Sequence, residues 1–152
     1  MFPWKKIICP TDFSDGSLEA LAHATRLALN FKSELYIVHV LPTHPETVDW
    51  KEEADVPGAE RLISPEAEEK LRKLTEPLSA KGIKTNAVIL HGHAAEQVVH
   101  LAKEEGADLI VIATHGATGW RHLAFGSVTE KVVRMAMCPV LIVRMGAAPS
   151  SQ

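Results

Sequence analysis

Three glycines and a serine stand in one segment, THGATGWRHLAFGSVT at residues 114–129: Gly116, Gly119, Gly126 and Ser127. The segment follows the apolar run DLIVIA (108–113) and leads into an amphipathic stretch beginning at Ser127. A loop leaving a buried strand and entering a helix presents unpaired backbone N–H groups and the positive end of the helix dipole. Glycines let that backbone approach an anion closely or adopt positive φ. The chemistry offered is phosphate binding. A second reading of the same residues needs no ligand: Ser127 followed by Glu130 is a capping box. A serine can do both.

Asp12, in PTDFSDGS after the first apolar run, is the other chemistry-bearing residue. Its carboxylate could accept hydrogen bonds from a ligand or help hold a metal. It could equally close an Asx-turn ahead of a helix capped by Ser14. No G-x-x-x-x-G-K-[ST] is present and no G-x-G-x-x-G follows a strand, which argues against a P-loop NTPase and a dinucleotide site. No G-x-S-x-G elbow occurs and no base is placed to activate Ser127, so no catalytic residue is assigned. Among eight histidines, His91 and His93 lack a third partner at ligand spacing, and no metal site is assigned. His115 and His122 fall within the glycine segment, within reach of phosphates or of solvent. His39 lies in an apolar run and reads as a hydrogen-bonded core or crevice residue. Cys9, inside a buried strand and before Pro10, suits packing better than nucleophilic chemistry.

Those residues need elements to position them. The apolar runs at 5–9, 34–41, 84–90, 108–113 and 140–143 read as strands. The ones at 34–41 and 108–113 are continuous enough to be buried on both faces. Helical spacing recurs at Leu18, Leu21, Ala22, Thr25 and Leu29. It recurs at Ala67, Leu71, Leu74 and Leu78 behind the start signal Ser64-Pro65, with Pro77 expected to kink or end that helix and Lys81-Gly82 to stop it. Ala95, Val98, Val99 and Ala102 mark a third helix ended by Gly106, and Val128, Val132 and Met135 a fourth. Alternating strands and helices predict an α/β fold: one Rossmann-like open sheet of five parallel strands, order 3-2-1-4-5, with helices on both faces. Ligands bind such sheets beyond the strand carboxyl ends where the order reverses. Here that places Pro10, Thr11 and Asp12 opposite the loop after Ala113.

One domain over residues 1–152 is expected, with a functional or mobile loop at 42–63 and a loose tail at 146–152. That loop carries three prolines and six acidic residues. The chain is 46% hydrophobic and 23% charged, with a net charge of −3, which disfavours a nucleic-acid partner. No apolar run approaches a membrane span of about 20 residues. The amino terminus lacks the apolar stretch of a secretory leader. Two cysteines make no disulfide framework, and the cytoplasm is the expected compartment.

The combination of PTDFSDGS, the His39-Val40 pair closing the second strand, and THGATGWRHLAFGSVT resembles the universal stress protein family over about residues 3 to 145. Members that bind ATP show Gly-x2-Gly-x9-Gly-Ser/Thr. The matching positions are Ala113, Gly116, Gly126 and Ser127, with Ala113 replacing the first glycine. The resemblance implies ATP or AMP as ligand, with or without Mg²⁺, in a stress-response protein that is at most a weak ATPase. It implies that Asp12 sits near the nucleoside with Pro10 and Thr11 lining the pocket. Val40 would meet adenine through its backbone, and Ser127, Val128 and Thr129 would meet phosphates. It also implies a homodimer through 140–143, whose edge position and apolar character suit such pairing. Ala113 keeps open a ligand-free interaction module, and a true nucleotide-processing enzyme is the further alternative.

Overall fold

A computed structural model describes residues 3–43, 64–115 and 125–146; the loop expected at 42–63 and the tail lie almost wholly outside them. The element order is β1 (Lys6–Pro10), α1 (Asp15–Phe31), β2 (Glu34–Leu41), α2 (Pro65–Ala80), β3 (Thr85–His91), α3 (Ala94–Glu105), β4 (Leu109–Ala113), α4 (Ser127–Met135) and β5 (Val140–Val143). All five strands join one parallel sheet in the order β3-β2-β1-β4-β5, the topology expected from the alternation of patterns.

Side chains alternate across the strands, and two cores result. On one face Ile7, Cys9, Leu35, Ile37, Leu109 and Val111 pack with Ala20, Ala24 and Ala28 of α1 and with Leu71 and Leu78 of α2. On the other, Ile8, Val38, Ile110 and Ile112 pack with Ala95, Val98 and Leu101 of α3 and Val132 of α4. Cys9 has no solvent exposure, and burial pushes its thiol up to about 12, so its thiolate is not available at neutral pH.

One local expectation is corrected. The buried stripe of α1 is Gly16, Ser17, Ala20, Leu21, Ala24 and Ala28, while Leu29 is 46% exposed and Ala22 faces solvent. Small residues at four-residue spacing let the helix backbone approach the sheet closely. They outweigh the larger leucine on the opposite side. The second helix continues past Pro77 to Ala80, burying Leu78 beyond the proline, and stops at Lys81 as expected. Its predicted start holds, with Ser64 accepting the amide of Ala67 at 3.2 Å.

The amino ends of the strands are pinned by polar groups. Asp108 accepts the amides of Lys5 and Lys6 at 2.9 and 3.0 Å, through one carboxylate oxygen, and returns its own amide to the Lys6 carbonyl. Glu105 accepts the Tyr36 hydroxyl at 2.9 Å and lies 3.6 Å from the Lys6 ammonium. Ser33 donates to the Trp4 carbonyl. These bonds fix the register of β1 against β4 at the end opposite the glycine segment. Replacing Asp108 by Ala leaves the part-buried Lys6 amide without its partner and gives the exposed Lys5 amide to water. It should lower the unfolding free energy by about 1–3 kcal/mol, measured by urea denaturation of the pure protein.

Candidate functional site

The chain leaves β1 toward α1 on one face of the sheet and leaves β4 toward α4 on the other. The two connections diverge, and a cavity of about 250 Å³ opens between them. One water occupies roughly 30 Å³ of liquid, so this is space for part of a small molecule. Pro10, Thr11 and Asp12 form one lip. Ala113, His115, Gly126, Ser127, Val128 and Thr129 form the other, and Val40 closes the end of β2. Ten of the twelve residues expected from the sequence thus line one cavity; Gly116 and Gly119 lie outside the described residues.

At the first lip Thr11 is buried and its hydroxyl is committed, meeting the Ser17 hydroxyl and accepting the Phe13 amide, both at 3.0 Å. Asp12 accepts the Ser14 amide at 3.0 Å and the Ser14 hydroxyl. Ser14 in turn caps α1. The Asx-turn is therefore real and sets Asp12 at the cavity edge. His39 Nδ1 lies 2.8 Å from the Thr11 carbonyl. Because a carbonyl only accepts, Nδ1 carries the proton. The next residue, Phe13, has φ of +65°, rare for an aromatic residue. Its ring lies between His39, at 4.6 Å, and the Lys70 ammonium, at 5.3 Å.

The second lip corrects the capping-box reading. The N-cap of α4 is Gly126, and no side chain caps the helix. Ser127 is already its first helical residue, so its hydroxyl is not the cap. The amides of Ser127, Val128 and Thr129 are first-turn donors with no acceptor four residues behind them inside the helix. Thr129 is buried and donates its hydroxyl to the Ala113 carbonyl at 2.7 Å, tying α4 to β4 and leaving the backbone of its first turn toward the opening. Gly126 has φ of −70°, so it is not there for a positive φ. A β-carbon on it would lie 3.3 Å from the Thr114 carbonyl oxygen, and its amide donates to that oxygen at 2.7 Å. What glycine supplies here is close approach, since a side chain would have to displace that carbonyl by a few tenths of an ångström.

Ala113, the departure from the glycine motif, has no positive φ. It packs in the core cluster shared with Cys9, Ala20 and Val143, and its methyl lies toward Gly16 of α1. Its methyl thus belongs to the α1 face, away from the face that carries α4.

Sequence reasoning left out Ser17, Val38, Ala94, Val98 and Ile112, which also line the cavity, and named His39 only as a core or crevice residue. Strand alternation held the signal for two of them: Val38 and Ile112 share the sheet face of Val40 and point toward α3. Ala94 and Val98, four apart on α3, complete that apolar wall. Among the described residues no group of three or more His, Cys, Asp or Glu side chains could hold a metal ion, and no helix is long and apolar enough to cross a membrane.

The model of the universal stress protein family matches residues 3–144. The chain is 38% identical to universal stress protein MJ0531 of Methanocaldococcus jannaschii, over 93% of this chain and 82% of that protein. The solved structure of MJ0577 of the same organism superposes with a TM-score of 0.77 at 31% identity, covering 95% of this chain and 99% of that one. A universal stress protein solved with cAMP shares the fold with a TM-score of 0.69 at 24% identity, over 94% of this chain and 98% of that one. One from Archaeoglobus fulgidus solved with dAMP does so at 0.64 and 24%, over 93% and 98%.

The two hydroxyls on the first turn of α4 should behave oppositely. Ser127→Ala removes no cap and should leave thermal stability within about 0.5 kcal/mol of the parent. Thr129→Val orphans a buried carbonyl and should cost about 1–3 kcal/mol. Denaturant melts of both variants check this; an equal loss in both would return Ser127 to a capping role.

Proposed function

Because the chain belongs to the universal stress protein family, we propose that its crevice between β1 and β4 binds an adenine nucleotide, ATP or AMP. One observation carries the reading: the α4 amino end, free of a side-chain cap, faces Asp12 across the cavity. Phosphate suits the first turn of α4, on the second lip, where the dipole and the amides of Ser127 to Thr129 attract an anion. The nucleoside suits the apolar wall of Val38, Val40 and Val98, with Asp12 accepting from its polar edge. A Mg²⁺ carried by ATP would neutralise part of the phosphate charge. Relatives of the same fold bound to cAMP and dAMP support the adenine nucleotide as ligand class. The position of the Ala113 methyl supports binding over a ligand-free module.

In this reading the protein acts in the cytoplasm as a stress-response regulator. It changes partners or conformation with its ligand and turns ATP over slowly if at all. Calorimetric titration with ATP and Mg²⁺ should give saturable heat below millimolar concentration, and Ser127→Ala should weaken binding by about 1–2 kcal/mol. Absence of heat or thermal stabilisation at millimolar ATP overturns the reading.

The protein also forms a homodimer through β5. Among the described residues β5 pairs only with β4, while Leu141 is 37% and Met137 89% exposed. The register directs the carbonyls of Pro139 and Val143 toward β4. The polar groups of Val140 and Ile142 therefore point to the open edge, ready for antiparallel pairing about a two-fold axis. Sedimentation at micromolar concentration should report twice the monomer mass, and Ile142→Pro, which deletes an outward donor, should shift it toward monomer. A wild-type monomer there would refute the assembly.

A further inference from the structure

The end of β4 runs between two glycines that come from opposite faces of the sheet. A β-carbon built on Gly16, in the first turn of α1, would lie 3.1 Å from the His115 carbonyl oxygen. It would also meet Ala113 Cβ at 3.7 Å and Met145 Sδ at 3.6 Å. On the other side, a β-carbon on Gly126 would lie 3.3 Å from the Thr114 carbonyl oxygen and 3.6 Å from His115 Cα. Neither glycine has a positive φ. Conformational freedom is therefore not what either supplies; both supply the absence of a side chain against the same dipeptide backbone.

Gly16 sits in a helix, where alanine is the better former. Local propensity favours replacing it, and the neighbouring buried positions Ala20, Ala24 and Ala28 are all alanine. The feature that sets Gly16 apart from them is the carbonyl against it. We infer that Gly16 is a positioning residue for the second lip of the crevice: by admitting the Thr114–His115 backbone between α1 and α4, it sets where the first-turn amides of α4 stand relative to the Asp12 turn. The chain of contacts is short. Gly16 touches His115, Thr114 accepts the Gly126 amide, and Gly126 caps the helix that carries Ser127. Ala113, two residues before His115, would stand at ordinary contact distance from a side chain at Gly16, so the backbone carbonyl and not this methyl is the close neighbour. This inference rests on the nucleotide reading of the crevice for its functional consequence, but the mechanical link stands without it.

The test is Gly16→Ala, compared with Ala20→Gly, which loosens the same helix without touching His115. In ¹H–¹⁵N spectra of the full chain, Gly16→Ala should shift the amides of Gly126 and Ser127, more than a hundred positions away in sequence, and Ala20→Gly should leave them in place. Should Gly16→Ala fail to fold, Gly126→Ala reads the same link from the other side and should shift the amides of Gly16 and Ser17. Unmoved amides in whichever variant folds, or equal shifts in Ala20→Gly, overturn the proposal. In titrations, Gly16→Ala should lose about tenfold in ATP affinity, the worth of one charge-assisted hydrogen bond. Its affinity for adenosine should hold. An unchanged ratio of the two affinities overturns the functional consequence. A wild-type chain that binds neither ligand fails the nucleotide reading, and the amide shifts still decide the link.

Discussion

Everything at the site follows from one topological fact: β1 has β2 on one side and β4 on the other. A chain that leaves β1 over one face and β4 over the opposite face cannot close the space between the two exits. β1 pairs with β4 only at Ile7–Leu109 and Ile8–Ile110, so the ladder stops short of both strand ends, and the helices they feed are driven apart by the thickness of the sheet. The apolar alternation that builds two cores thereby also builds the gap. The topology opens the cavity, and the residues at its rim determine what it attracts.

The rim shows how differently similar residues are used. Thr11 and Thr129 are both buried, and both spend their hydroxyls on the protein itself. Ser127, two residues before Thr129, does not cap α4 with its side chain. Gly126 has an ordinary φ, and what it supplies is proximity to the Thr114 carbonyl. Phe13 has the unusual φ, held by its amide's bond to Thr11 and by rings and charge on its two sides. Backbone strain at this site is carried by an aromatic residue beside Asp12, where a packed side chain fixes the turn more firmly than a glycine would.

Most of the architecture was legible because its causes are periodic. Continuous apolar runs on β2 and β4, buried on both faces, and helical spacing on α3 determine the element types and, through their alternation, the parallel sheet. The face of α1 was not, because hydrophobicity favoured Leu29 while the fold selected small residues that permit close packing. The site residues at strand ends were legible from turn chemistry and position. The role of Ser127 was not, since S-x-x-E is compatible with a cap one residue later than the one adopted. Whether Gly126 serves proximity or dihedral freedom is undecidable from the letter G, because it depends on a carbonyl that arrives from a different strand. The cavity wall from α3 was missed for the same reason: Ala94 and Val98 look like any helix interior until the sheet is assembled.

The polar fastening at the other pole has its own consequence. Asp108, Glu105 and Ser33 add polar ties at the amino ends, where desolvation also raises the Tyr36 hydroxyl above its usual range. At the carboxyl ends His39 ties β2 to the Thr11 carbonyl, but β1 and β4 do not pair beyond Ile8–Ile110, so that one seam is fastened at its amino end like two ribs of a fan. Local opening follows the distribution of such ties, and along this seam it is least at the fastened end and greatest at the crevice. Work done by an occupant in drawing the two lips together is spent on the compliant end and leaves the anchored end at rest, so the fold can respond to a guest without loosening its core.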